Sequence, residues 1–193
     1  MNRRFPWVAG LFVAVNLVLA GTSFSTSGRA YSGGPDPGAT GGFKEPTCNQ
    51  SGCHNTFELN AGKGAGLGDL LVSGFPDRYE PGKKYPVKLA ISHTQDRHYW
   101  GFQLAARVQS TGAQAGALQP GDGGTQVLEK NGVQYIEHTL EGIATNTFEF
   151  TWVAPAKGTG DVIVNAAGNA ADGGGSPSDE YIYSTGLSVE AEK

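Results

Sequence analysis

Strict alternation of apolar with small or polar residues recurs through the later two-thirds of the chain, and this feature limits the fold most. Tyr85, Val87, Leu89 and Ile91 lie at alternate positions. A period of two places successive side chains on opposite faces of a strand. Strands are therefore predicted here and in several further segments, of which the last four are weaker: 100–109, 147–152, 162–166, 68–73, 125–129, 133–140 and 181–189.

Turn residues separate these segments, in keeping with the 30 glycines of the chain. Asn131-Gly132, between two strand-like runs, is typical of a type I′ hairpin turn. No helix of three turns is predicted after residue 30. Seven or eight short strands joined by turns indicate an all-β chain folded as a β-sandwich.

The first 30 residues have the pattern of an export signal. Arg3 and Arg4 precede the uncharged apolar run from Trp7 to Ala20, and cleavage is predicted after Ala30. An uncleaved anchor is the alternative, although the run is short for a membrane span. The expected organisation is a signal peptide at 1–30, an irregular Gly- and Pro-rich N-terminal arm at 31–67 and a β-sandwich domain at 68–193. The mature chain is then periplasmic or extracellular, without stable membrane insertion.

Cleavage would also make the chain more acidic. Lys and Arg fall from 14 to 11 against 18 Asp and Glu, so the net charge changes from −4 to −7. An acidic surface disfavours nucleic acid and anionic membranes as partners. It would suit a basic redox partner protein, although solubility alone also explains such a charge.

Two cysteines and a histidine lie close together in the arm. Cys48, Cys53 and His54 resemble a c-type haem attachment motif, in which two thiols form thioethers and the adjacent His binds iron. Four residues separate the cysteines, whereas two are usual. A Cys48–Cys53 disulfide is the main alternative in an oxidising compartment, and a zinc site is a third.

The sixth iron ligand would be a histidine or an open position, because the single Met is Met1 in the predicted signal. His138 is favoured, since it has the same strand parity as Ile136. Its alternative role is a histidine at the edge of the core, bonded to a backbone carbonyl. The remaining candidates for iron ligation are His93 and His98, and the possible haem contacts are Trp100 and Tyr135.

The ordered set of segments along the mature chain resembles bacterial Reeler-type domains, the group often labelled choice-of-anchor V proteins. The segments are Ser32-Gly33-Gly34-Pro35, Thr40-Gly41, Tyr79-Glu80-Pro81-Gly82-Lys83-Lys84-Tyr85, Trp100-Gly101-Phe102-Gln103-Leu104, Gln134-Tyr135-Ile136-Glu137-His138-Thr139 and Ala166-Ala167-Gly168-Asn169-Ala170-Ala171-Asp172-Gly173. The resemblance implies an immunoglobulin-like antiparallel β-sandwich. It also implies a haem motif where this chain has Cys48 to His54.

These observations predict an exported monohaem c-type cytochrome that transfers electrons or senses a redox state or ligand through one covalent haem c. The alternative is a haem-free extracellular binding or adhesion module with a Cys48–Cys53 disulfide. An enzyme is not expected. A peroxidase-like haem enzyme would need an acid–base residue beside open iron, and the sequence offers no candidate.

Overall fold

The computed structural model describes residues 32–50, 54–173 and 179–192, which form two packed β-sheets. The predicted signal peptide lies outside these ranges. The strands are β1 (Gly68–Ser73), β2 (Arg78–Tyr79), β3 (Lys84–His93), β4 (Tyr99–Val108), β5 (Ala117–Pro120), β6 (Thr125–Lys130), β7 (Val133–His138), β8 (Thr147–Val153), β9 (Val162–Ala171) and β10 (Tyr181–Ala191). Helix α1 (Ala61–Gly64) precedes β1, and a 3-10 turn (Gly142–Ala144) precedes β8.

One sheet has four strands in the order β1-β3-β8-β5, and the other has six in the order β2-β10-β9-β4-β7-β6. The all-β sandwich predicted from the alternation is confirmed. The pairs are antiparallel except that β2 runs parallel to the end of β10, with Arg78 opposite Glu190. No helix of the described ranges is both long and apolar enough to cross a membrane.

The inner faces of the two sheets enclose an aromatic core. Trp152 is fully buried and contacts the rings of Phe75, Tyr79 and Tyr85, and its indole N–H donates to the Ala115 carbonyl at 3.0 Å. Burying one such large side chain stabilises the fold by roughly 2–3 kcal/mol. The alternation that predicted the strands therefore identified the inward-facing residues.

The Asn131-Gly132 hairpin is also confirmed. Both residues have positive φ, 53° and 74°, and Lys130 pairs with Val133 across the turn. Two positive φ values at a two-residue loop define the predicted turn type, because they match the twist of the flanking strands. The short strands β2 and β5 were not predicted.

Part of the outer face of the six-stranded sheet, on β4 and β7, is buried too, because residues 33–47, called here the covering segment, lie across it. Gln103 and Arg107 on the outer face of β4 are 0% and 6% exposed. The covering segment folds back on itself where Thr40 bridges Thr47, directly before Cys48. It is irregular, as the Gly- and Pro-rich sequence predicts, but it is closely packed on the sheet.

Candidate functional site

The cysteine segment lies beyond the covering segment, and the structure describes part of it. Cys48 is half-buried, whereas Cys53 lies outside the described residues. The backbone N–H of His54 donates to the Cys48 carbonyl at 3.4 Å. The two ends of the segment are therefore adjacent.

His54 is held against the start of β10. Its Nδ1 contacts the carboxylate of Glu180, and the two side chains are 13% and 10% exposed. Asn169 of β9 also donates to this carboxylate, at 3.3 Å. Burial lowers the pKa of His54. The histidine of the motif is thus engaged by a neighbouring acid at one end of the sandwich.

Tyr181, beside Glu180, is the centre of a group of aromatic and cationic side chains. Phe57 stacks on its ring with centroids 4.2 Å apart, His93 lies 4.6 Å away, and the Arg97 guanidinium is 5.2 Å from the ring centroid. We call these four residues, together with the His54–Glu180 pair, the end cluster. Its members are His54, Phe57, His93, Arg97, Glu180 and Tyr181.

Polar atoms without hydrogen-bond partners accumulate beside the end cluster. Nε2 of His93 and the hydroxyl of Tyr183 are buried and make no hydrogen bond within the described chain. Burial, with smaller contributions from Tyr181, raises the pKa of Tyr183 to about 12. Such atoms carry a cost unless something satisfies them. A shallow cavity of about 340 Å³ adjoins them, lined by Lys63, Gly66, Leu67, Gly68, Asp69, Ser92, His93 and Thr94.

His138, the favoured sixth ligand, is bound to the backbone of β4. It ends β7 with 6% exposure, and its Nδ1 lies 3.1 Å from the Phe102 nitrogen and 3.3 Å from the Phe102 oxygen. The β4–β7 ladder pairs Leu104 with Ile136 and Gln103 with Glu137. At the next position, the His138 ring rather than a main-chain group contacts the backbone of Phe102. His138 therefore lies at the edge of the core, and its role as the sixth iron ligand stays a prediction.

The other predicted haem contacts and ligands are dispersed. Trp100 is half-buried and packs against the sandwich core, whereas Tyr135 lies under the covering segment. His98 is exposed and lies 3.5 Å from Asp96. Of the predicted site residues, only His54 and His93 belong to the end cluster.

Glu137 is a site residue that the sequence reasoning missed. It is 0% exposed on the outer face of β7, where Gln103 Nε2 donates to it at 2.8 Å and Gln126 Nε2 at 3.2 Å. Burial raises its pKa to about 7, and the nearby Asp36 adds to the effect. The strand period predicted that Glu137 and His138 point to opposite faces of β7. The burial of Glu137 was not predicted, because it depends on the covering segment.

A second missed group joins the covering segment to the sheet. Arg107 donates to Glu45 and to the hydroxyl of Tyr135, and that hydroxyl also bonds Glu45. Burial alone would raise the pKa of Glu45, but hydrogen bonds from Tyr135, Thr40 and Arg107 lower it. Phe43 packs on the guanidinium, 5.2 Å from ring centroid to carbon. Arg107 and Glu45 are 62 residues apart along the chain, so no local sequence pattern indicates that they interact.

Within the described ranges, no three His, Cys, Asp or Glu side chains are grouped so that they could hold a metal ion. Fold and site together define a β-sandwich with a covered outer face and an aromatic, cationic cluster at one end. The Reeler domain family model matches residues 70–168, half of the chain, and the chain belongs to this family. The Reeler part of the sequence resemblance is thereby confirmed.

The chain is also similar to parts of known proteins. Spondin-1 of Mus musculus is 30% identical over 105 residues, which are 51% of this chain and 12% of that protein, and Spondin-1 of Rattus norvegicus gives the same values. This chain therefore spans about an eighth of the length of these relatives. The Reelin-N domain of F-spondin is similar in structure, with 26% identity, coverage of 66% of this chain and 87% of that one, and a TM-score of 0.48.

The predicted cytochrome function is wrong. The chain belongs to the Reeler family, its curated relatives are spondins, and the described residues contain no metal-binding group. The prediction failed because the cysteine and histidine residues were interpreted as a motif despite their four-residue spacing. The described side chains of that segment are engaged otherwise, since His54 contacts Glu180. The attachment chemistry at Cys48 and Cys53 itself stays a prediction, because Cys53 lies outside the described residues.

Proposed function

We propose that this chain is an extracellular, non-enzymatic binding module that contacts a protein partner through the end cluster. Its membership of the Reeler family, whose model matches 70–168, is the observation that carries the proposal. An extracellular location is supported by the predicted signal at 1–30 and by the likeness to spondins. The alternative drawn from the sequence thus becomes the main reading, and the basic redox partner expected for a cytochrome is not carried over.

The composition of the end cluster favours a protein partner. Tyrosine and arginine are enriched among residues that dominate binding energy at protein interfaces, because they offer a large contact area and directed hydrogen bonds. Arg97 is half-buried beside Tyr181, and His93 borders the shallow cavity. A partner side chain that enters the cavity could bond His93 Nε2, which has no partner in the described chain.

A Cys48–Cys53 disulfide would support this end of the module. The His54 N–H already meets the Cys48 carbonyl at 3.4 Å, so a short closed loop agrees with the described backbone. Such a link would hold His54 beside Glu180 and Phe57 on Tyr181. The cross-link limits the unfolded chain and so stabilises the arrangement.

Binding to an immobilised panel of extracellular proteins tests the proposal. The purified chain should bind saturably, and Arg97→Ala and His93→Ala should each weaken binding about tenfold or more. His98→Ala is the matched control, because His98 lies beside the same turn but is exposed, contacts Asp96 and is not part of the end cluster. Circular dichroism verifies that each variant is folded. An absence of saturable binding, or an equal loss in His98→Ala, would contradict the proposal.

A further inference from the structure

Three buried hydrogen-bond donors in and beside the end cluster have no acceptor. They are Nε2 of His93, Nε of Arg97 and the hydroxyl of Tyr183, all unpaired within the described chain. The Tyr183 side chain is 0% exposed. Native proteins rarely leave a buried donor unsatisfied. Three of them at one end of the sandwich therefore indicate an acceptor that the described chain does not supply.

The hydrogen bonds of His93 determine which of its ring nitrogens carries the proton. The backbone N–H of Gln95 donates to Nδ1 at 3.1 Å, so this nitrogen is an acceptor and has no proton. The proton of the neutral ring is therefore on Nε2. Burial, together with the charge of Arg97, lowers the pKa of His93 and favours the neutral ring. The unpaired Nε2 thus needs an acceptor and cannot itself be one.

The three donors surround two tyrosine rings. The ring of His93 lies 4.6 Å from the ring of Tyr181 and 6.2 Å from that of Tyr183. The Arg97 guanidinium is 5.2 Å from the Tyr181 centroid. One small ligand at this end is therefore close to all three donors.

The charges at this end also lack an anion. Glu180 contacts His54, and Asp69 pairs with Lys63 at 2.9 Å, so both acids already have a partner. Arg97, by contrast, has no carboxylate partner among the described residues. A ligand that brings a negative charge would compensate the charge of this guanidinium.

The shallow cavity of about 340 Å³ gives a ligand access to the donors. His93 lines it together with Ser92 and Thr94. Gly68 also lines it and borders the Tyr183 hydroxyl, since a Cβ at this position would lie 2.7 Å from the hydroxyl oxygen. The missing side chain at this position brings the cavity close to the buried hydroxyl.

We propose that the cavity beside the end cluster binds a carboxylate, the side chain of an aspartate or glutamate of the partner protein. A carboxylate accepts several hydrogen bonds through two oxygens, so one group can take bonds from His93 and Tyr183 and compensate Arg97. A neutral acceptor would leave the guanidinium without a counter-charge. The inference rests on the proposed function and adds the chemistry of the partner.

Titration with two capped amino acids tests this chemistry. N-acetylglutamate amide presents one side-chain carboxylate, and N-acetylglutamine amide has nearly the same shape without the charge. The Nε2–H signal of His93 in an NMR spectrum should shift saturably with the glutamate compound, with a dissociation constant of about 1–10 mM. It should not shift with the glutamine compound at matched ionic strength. Equal shifts with both compounds, or none with the glutamate compound, would overturn the proposal.

Tyr183→Phe separates a ligand-binding hydroxyl from one that only supports the fold. The variant removes an unpaired buried donor and keeps the ring, so its urea midpoint should stay the same or rise. Its affinity for N-acetylglutamate amide should fall about tenfold or more, because a bond to a charged group is lost. Unchanged affinity would overturn the proposal.

Tyr79→Phe is the matched control for that variant. Tyr79 is 1% exposed, and its hydroxyl donates to the Gly160 carbonyl at 3.0 Å. Its removal should lower the urea midpoint, since a buried carbonyl loses its partner, and should leave the affinity for N-acetylglutamate amide unchanged. An equal loss of affinity in Tyr79→Phe would show that the effect of Tyr183→Phe is not specific to the cavity, and would contradict the proposal.

Competition distinguishes this inference from the proposed function. N-acetylglutamate amide at ten times its own dissociation constant should weaken binding of the chain to the immobilised extracellular proteins about tenfold, and the glutamine compound should not. Protein binding that is indifferent to the glutamate compound would overturn the carboxylate inference and leave the proposed function intact. A response of His93 to the glutamate compound without binding to any immobilised protein would support the carboxylate site and contradict the proposed function.

Discussion

The side-chain amide of Gln103 donates to the carboxylate of Glu137 at 2.8 Å, and the covering segment excludes water from both residues, each 0% exposed. Two neutral amides are a weak substitute for water around a charged carboxylate. The protonation state of Glu137 is therefore coupled to folding and to docking of the covering segment.

The stability of the protein should fall as pH rises through the range between about 4.5 and 7. Burial raises the pKa of folded Glu137 to about 7 from 4.5, so in that range the folded state binds more protons than the unfolded state. Stability from this group is complete below about pH 4.5 and is lost as pH rises through 7. The loss has an upper bound of about 3 kcal/mol. Urea unfolding at about pH 5 and about pH 8 measures it.

Glu137→Gln should remove most of that pH dependence, because glutamine preserves the shape of the side chain and does not titrate. Glu149→Gln, at an exposed position of β8, is the matched control and should keep it. An unchanged pH slope in Glu137→Gln would show that another group is responsible.

Removal of the Arg107 guanidinium should destabilise the protein by about 3 kcal/mol. Arg107 and Glu45 are only 7% and 16% exposed, so Arg107→Ala leaves a largely buried carboxylate and phenol without their cation. Arg78→Ala breaks an ion pair with Glu190 that is 44% and 60% exposed, and it should cost less than about 1 kcal/mol. Chemical denaturation of both variants compares the losses, and equal losses would contradict the structural role of Arg107.

Substitution of His138 should show that its role is to complete the backbone ladder. His138→Leu leaves the buried Phe102 N–H without its side-chain partner and should cost about 1–3 kcal/mol. His138→Asn can place an acceptor near the Nδ1 position and should recover part of that loss. If the two variants were equally stable, His138 would stabilise the fold through packing and not through its bond to Phe102.

The proposed disulfide predicts a defined mass for the exported, purified chain. Without reductant, the mass should be two hydrogens below that of the reduced sequence, and Cys48→Ser should abolish the difference. Cys53→Ser should have the same effect. A mass raised by a covalently bound porphyrin, with its absorption spectrum, would instead require the attachment prediction for Cys48 and Cys53 to be revived.

Local patterns predicted the parts of the fold that depend on neighbours in sequence. Alternation located the long strands because a half-buried strand exposes every second residue, and Asn131-Gly132 located a hairpin because few residue pairs accept two positive φ values. Strand β2 has two residues and β5 has four, too few for a period to be recognised.

The covered face could not be predicted, because its contacts connect distant parts of the chain. Gln103 reaches Ala39 across 64 residues, and Arg107 reaches Glu45 across 62. On sequence these residues occupy the outward positions of a strand and are expected to face water. The sequence identified two members of the end cluster, His54 and His93, but as iron ligands. In the structure His54 contacts the carboxylate of Glu180 and His93 packs on the ring of Tyr181.

The direction of β10 determines which end of the module is accessible when the protein is immobilised on a support. The strand starts at Tyr181 in the end cluster and finishes at Ala191 beside β2, so its ends are about 33 Å apart. A tag or bead coupled at the C-terminal side of β10 would attach the molecule at the end of the sandwich opposite the end cluster. Immobilisation in that orientation leaves His93 and Arg97 directed away from the support, whereas random coupling through lysines would attach some molecules through Lys63 and block the adjoining cavity.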